Sequence, residues 1–366
     1  MSGLVKIKDI EIFKDSTYNS FPNALTLKDG TVFVGFRNAP DWQRFGMETH
    51  LDPGSKAVFV TSKDNGCTWD NNTNIIYDDY VYGVQDPCLN LLKDGTIFAT
   101  FYMWKAFHKN DVEALPTDIK LKDTWIGRLD KVYSIRTVDN GKTWDEPIPI
   151  QCLDDQRVAL RGNGVELDNG EIIVPVYGVS TAEEAGKVTI IKTKDRGLTW
   201  TNISRISFSD KYNLEEPLIF KTKGGKLVAF IRTSRYKDKK TYQGDKNKAS
   251  PLVTCESYDD GRTWSEPVER NMYSPSPFHA LQLSSGNVLV TYGYRYEPFG
   301  IRAFILNGEC TNFDDVKEYV LRDDGLGGDI GYTNSTQLNN GDILITYYYY
   351  EEDGIRYIAG TICKEE

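Results

Sequence analysis

The chain has 366 residues, 40% of them hydrophobic and 12% aromatic, with a net charge of −10. That length suits two ordinary domains or one large all-β domain, and the acidity argues against a nucleic-acid partner. No run of about 18 apolar residues occurs, so no membrane-spanning helix is expected, and six cysteines without a CxxC pair read as free thiols in a reducing compartment.

The first segment, MSGLVKIKDIEIF, alternates lysine with aliphatic residues. It reads as a β-strand and not as a secretion signal, so a cytoplasmic location is expected. A phrase then recurs six times: LKDGTVFV at 27, LKDGTIFA at 92, LDNGEIIV at 167, TKGGKLVA at 222, LSSGNVLV at 283 and LNNGDILI at 338. In each, a polar turn with glycine (Gly30, Gly95, Gly170, Gly225, Gly286, Gly341) separates two apolar, β-branched runs, the pattern of a β-hairpin. The glycines recur at intervals of 55 to 75 residues, with almost no helical periodicity between them. The repeats predict an all-β fold: a six-bladed β-propeller of four-stranded antiparallel blades, with residues 1–366 forming one domain.

A second phrase follows the third expected strand of the first four blades: KDNGCTW at 63–69, VDNGKTW at 138–144, KDRGLTW at 194–200 and YDDGRTW at 258–264. It is placed to turn the chain from third strand to fourth. The hydroxyls of Ser62, Thr137, Thr193 and Ser257 can bond loop backbone, while Asp64, Asp139, Asp195 and Asp259 accept amide hydrogens. Trp69, Trp144, Trp200 and Trp264 can wedge between sheets. A turn repeated in four blades is scaffold, not an active site. The pattern S/T-x-D-x-G-x-T-W resembles the Asp-box of the sialidase superfamily, and the likeness covers essentially the whole chain.

If the hairpin turns and these turns share one face, the second-to-third-strand loops and the links between blades share the other. That face gathers segments 37–56, 82–87, 154–164, 213–217, 232–248, 276–280, 292–302 and 322–334. They hold His50, His279 and many arginines and carboxylates; His108 is expected in a long loop, 102–131, on the same side. Ionisable groups converging on a propeller's mouth mark the candidate active site.

The sialidase resemblance implies particular roles. EEPLIFKTKGGKLVAFIR matches the family's Glu-Pro followed by a strand ending in arginine, which implicates Glu216 and Arg232. Arg295 in VTYGYR resembles a later family arginine, and Tyr332 in DIGYTN the nucleophile. Asp52 in HLDPGSK takes the acid/base place, with Asp86 in QDP as the reserve, and Arg37 resembles a further substrate-contacting arginine. Such a set has a chemical logic. A tyrosine, with an ordinary pKa of about 10, needs a carboxylate to take its proton, and a phenol meets an anionic sugar without the repulsion a carboxylate would suffer. Arginine forks then hold the sugar carboxylate. One departure stands out. Where sialidases begin with Arg-Ile-Pro, this chain has Ser20-Phe21-Pro22, so the arginine triad is incomplete unless Arg161 or Arg37 substitutes. His50 lies outside the usual set, with an ordinary pKa suited to acid–base work near neutrality.

The resemblance implies an exo-acting, retaining glycoside hydrolase that removes a terminal acidic sugar, sialic acid or a relative. Two alternatives stay open: a hydrolase or lyase for another acidic sugar such as a uronate, using His50 or Asp52, and a non-catalytic carbohydrate-binding propeller. No metal-ligand spacing, phosphate-cradling loop or dinucleotide fingerprint is present. No cofactor or metal is expected. The expected partner is an acidic carbohydrate, with neither nucleic acid nor membrane, and the oligomeric state is not legible in the chain.

Overall fold

The computed structural model describes residues 3–42, 51–121, 123–153, 155, 157–179, 181, 184–208, 211–237 and 244–366. Each glycine phrase forms a tight hairpin. In the first, Gly30 sits at φ 89°, a left-handed conformation that side chains disfavour, and its amide bonds the carbonyl of Leu27 at 2.9 Å. The five equivalent glycines all have positive φ as well.

Six antiparallel sheets follow in up-and-down order. Blade 1 comprises Tyr18–Thr26, Val32–Ala39, Lys56–Ser62 and Asn74–Tyr77. Blade 2 comprises Gly83–Leu91, Ile97–His108, Trp125–Thr137 and Ile148–Pro149, with the short Ile119–Lys120 added. In blade 3 the inner strand is broken into Arg157–Ala159 and Val165–Glu166, followed by Ile172–Val179, Lys187–Thr193 and Thr201–Ile206. Blade 4 holds Tyr212–Lys221, Leu227–Arg235, Pro251–Ser257 and Val268–Tyr273. Blade 5 holds Phe278–Gln282, Val288–Tyr294, Gly300–Leu306 and Tyr319–Arg322. Blade 6 joins Gly331–Gln337, Ile343–Tyr349 and Tyr357–Glu365 to the first strand of the chain, Leu4–Phe13. The ring is closed by that last pairing, Leu4 opposite Glu365 through to Phe13 opposite Ile358. The fold is a six-bladed β-propeller.

The apolar core lies between blades. One cluster joins Phe36 of blade 1 to Leu344 and Ile362 of blade 6, another Phe220 and Phe230 of blade 4 to Phe278 and Phe304 of blade 5. Blades are thus welded face to face, and the polar axis of the ring is left for chemistry.

The aspartate-containing turns have one geometry in all four blades. Ser62 Oγ donates to Asp64 (2.8 Å) and accepts from the Gly66 amide (2.9 Å), while Asp64 accepts from both the amide and the hydroxyl of Thr68 (2.8 and 2.6 Å). Those bonds hold the Asp64 carboxyl down at about 2. The tryptophans pack against the core shared with the preceding blade, Trp200 beside Phe98 at 6.1 Å. Blade 5 carries a diverged turn that the sequence pattern missed. There Asn307 accepts from the Thr311 amide at 3.1 Å, in the manner of Asp64.

The loop expected at 102–131 is largely strand. Ile97–His108 and Trp125–Thr137 stay paired out to His108 opposite Trp125, because the run Phe101–Phe107 is aromatic, β-prone and free of turn residues. Among the described residues, no helix is long and apolar enough to cross a membrane.

Candidate active site

The inner strands of blades 1, 2, 4 and 6 share one irregularity near their start. Phe21-Pro22, Asp86-Pro87, Glu216-Pro217 and Tyr332-Thr333 each interrupt the register with the next strand. The first residue of each pair adopts a left-handed conformation, with φ of 58°, 47°, 44° and 53°. A bulge re-aims a side chain, and proline suits it because no ladder donor is lost. Left-handed non-glycine residues cost of order 1–3 kcal/mol each and concentrate at working sites. Blade 3 reaches the same place with Arg161-Gly162. A Cβ on Gly162 would lie 2.0 Å from the carbonyl oxygen of Pro217, so only glycine fits between blades 3 and 4.

These positions converge. The Tyr332 phenol donates to Glu216 Oε1 across the ring. Arg232, within the second strand of blade 4, donates through Nη1 to Glu216 Oε2 (2.5 Å) and to the Tyr332 oxygen (3.2 Å). Phe21 packs on the Tyr332 ring at 4.6 Å, and the guanidinium groups of Arg295 and Arg161 lie 4.9 and 5.2 Å from its centre. Tyr332 and Glu216 are each 5% exposed.

The electrostatics divide the roles. Burial pushes the Tyr332 phenol well above its ordinary range, and the Glu216 charge adds to this against the pull of Arg232 and Arg295. Burial pushes Glu216 the same way, but Arg232 and the Tyr332 hydrogen bond outweigh it and hold the carboxyl below the ordinary range. The pair therefore rests as phenol and carboxylate. Asp86 behaves differently: burial raises it to about 7, although the Arg161 charge opposes this. Its Oδ2 accepts from Tyr102 at 3.1 Å, and its buried Oδ1 has no hydrogen-bond partner among the described residues.

The remaining sequence candidates lie as follows. Arg161 is spent on backbone, donating to the carbonyls of Phe21 (3.3 Å), Pro22 (3.0 Å) and Tyr332 (3.1 Å). Arg295 donates to the Ile330 carbonyl (2.9 Å) and the Tyr348 hydroxyl (2.7 Å). Arg37 is completely buried, 5.7 Å from the Tyr18 ring, within the electrostatic reach of Asp86 and Asp52. Asp52 is half-buried, and its Oδ1 accepts from the Gly54 amide at 2.7 Å. His50 lies outside the described residues. His279 sits further down the axis, bonded to Ser335 at 3.0 Å, and burial together with the Arg161 charge lowers it to about 3. Ser20 is fully buried and lies directly opposite Arg37 in the strand register.

Residues absent from the sequence-based set complete the surroundings. Asp329 accepts from Tyr18 (3.0 Å), Tyr348 (2.9 Å) and Arg356 (3.0 Å), and so anchors the tyrosine that Arg295 bonds. Tyr177 and Tyr102 feel the charges of Glu216 and Asp86. The run TYYYY at 346–350 was the one visible signal, since alternate tyrosines on a strand must face opposite ways.

Comparison with known proteins places the chain. Residues 122–345 match the BNR repeat-like domain family. The crystal structure of a protein of unknown function from Dyadobacter fermentans superposes with a TM-score of 0.88 at 31% identity, covering 100% of both chains. The NanB sialidase of Streptococcus pneumoniae (K499G mutant) gives 0.68 at 14% identity over 99% of this chain and 70% of that one. An α-L-arabinanase of Penicillium chrysogenum, complexed with arabinobiose, gives 0.67 at 15% over 98% of each. The last two share the fold. No functionally curated protein matches the chain significantly.

Proposed function

The chain belongs to the BNR repeat-like domain family, and from that premise we propose that it is a retaining, exo-acting glycoside hydrolase for a terminal acidic sugar. The observation that carries this reading is the hydrogen-bonded set of Tyr332, Glu216 and Arg232. In the first step the Tyr332 oxygen attacks the anomeric carbon while its proton passes to Glu216. Asp86 protonates the departing glycosidic oxygen; it holds a proton up to about pH 7, the property a general acid needs. In the second step Asp86 takes a proton from water, the water displaces tyrosine, and Glu216 returns the proton to the phenolate. Asp52 is the alternative acid.

Arg232 and Arg295 flank Tyr332 and supply positive charge for a sugar carboxylate. Arg161 is committed to carbonyls and Ser20 is buried, so the site is suited to an acidic sugar whose carboxylate needs two arginines. Sialic acid itself is then a poor substrate. The test is kcat/KM across aryl sialosides, aryl uronides and neutral aryl glycosides. Acidic substrates should lead; turnover of neutral ones alone, or of none, defeats the proposal.

A further inference from the structure

A cavity of about 260 Å³ lies between blades 3 and 4, under the tip of the long blade 2 hairpin. Its floor includes Glu215 and Tyr177. Glu215 Oε2 is 3.6 Å from Arg232 Nε, and the Tyr177 hydroxyl feels the charges of Glu216, Tyr332 and Asp86. The cavity therefore adjoins Arg232, the residue that bonds both Glu216 and Tyr332.

Its walls are mixed. Tyr177, Val179 and Tyr236 offer apolar surface, while Arg157 and Asn213 offer polar groups. That alternation suits a sugar ring, whose C–H faces are apolar and whose edge hydroxyls need partners. The volume is just under the ~300–1,000 Å³ usual for small-ligand sites, enough for one ring and not for a chain. The hairpin wall is firmly held. Arg128 donates to both oxygens of Asp118 (2.8 and 2.7 Å) and to the Glu113 carbonyl (2.8 Å).

We propose that this cavity is the leaving-group subsite and takes the second sugar ring of a disaccharide unit, stacked against Tyr177. The inference rests on the hydrolase reading for its direction but is tested by binding alone.

Saturation-transfer NMR with the wild-type protein and three probes (sialyl-galactose, a uronyl disaccharide and arabinobiose) reads which rings touch protein. At least one probe should show transfer to both rings. Val179→Trp fills the cavity from a half-buried strand end; it should keep transfer to the non-reducing ring, lose it at the other, and weaken binding at least tenfold. Arg157→Gln, a milder change, should weaken the second ring's signal in the same direction. Binding of no probe, transfer to one ring only in the wild type, or an unchanged pattern in both variants overturns the subsite. Two-ring contact in a protein that hydrolyses none of the probes leaves the subsite standing and removes the hydrolase. Hydrolysis with one-ring contact does the reverse.

Discussion

Tyr332 and Glu216 stand 116 residues apart, in blades 6 and 4, yet the phenol of one donates a hydrogen bond to the carboxylate of the other. Both occupy the same left-handed bulge of their inner strands, at φ 53° and 44°. The ring's pseudo-symmetry therefore does the aiming: one backbone irregularity, copied between blades, presents different side chains to a common axis.

If that pair does the chemistry, Tyr332→Phe and Glu216→Gln each lower kcat by a factor of at least ~10²–10⁴, the usual weight of a lost acid–base partner. Circular dichroism and the melting transition of both variants should remain cooperative. Near wild-type turnover in both variants rules out the tyrosine mechanism.

Arg161 acts as a clamp. Its guanidinium bonds three buried carbonyls, and each acceptor left bare costs roughly 1–3 kcal/mol. Arg161→Ala should therefore lower the melting temperature by several degrees and reduce kcat, while the ratio of acidic to neutral substrates stays constant. Collapse of that ratio, with melting unchanged, makes Arg161 a substrate contact instead.

Asp86 ties activity and stability to pH. It keeps its proton to about pH 7 when folded, against an ordinary value of 3.8 when unfolded. Folding thus takes up a proton between those values, and the stability this contributes is full below about pH 4 and lost as pH rises through 7. Asp86→Asn should gain several degrees in melting temperature relative to wild type between pH 4 and pH 8. Wild-type kcat should decline above pH 7, and Asp86→Asn should lose hydrolysis of poor leaving groups far more than of activated aryl ones. If Asp52→Asn shows that leaving-group pattern and Asp86→Asn does not, Asp52 is the acid.

The aspartate-containing turns serve stability. Trp200 is 9% exposed, packs beside Phe98 and donates to the Gly197 carbonyl at 3.1 Å. Trp200→Ala should cost about 3–5 kcal/mol. Trp144 is only partly buried, and its Nε1 has no hydrogen-bond partner among the described residues, so Trp144→Ala should cost less. Folded fractions of both should keep their turnover number; normal melting with dead catalysis in either reverses the assignment.

Much of this is legible in the amino-acid sequence. Turn chemistry is local, so six glycine hairpins and four aspartate phrases specified blade number and the order of faces. The blade 5 turn escaped because Asn307 replaces aspartate, Ile305 replaces the hydroxyl residue and Phe313 stands near the place of tryptophan, which removes the visible signature and keeps only the bonds to Thr311. The strand at Ile97–His108 escaped because its length beyond the sheet depends on pairing with Trp125–Thr137.

From the chain alone came the propeller, its scaffold turns and a set of ionisable residues sharing one face, because each depends on contacts within a few residues or on simple repetition. What those residues do to one another was decided only by closing the ring. That step put Tyr332 against Glu216, turned Arg161 from a candidate fork into a backbone clamp, and buried Asp86 deeply enough to hold a proton near neutrality. Hydrogen bonds and desolvation act over a few ångströms, and residues in separate blades come within that range only when the blades pack around a common axis.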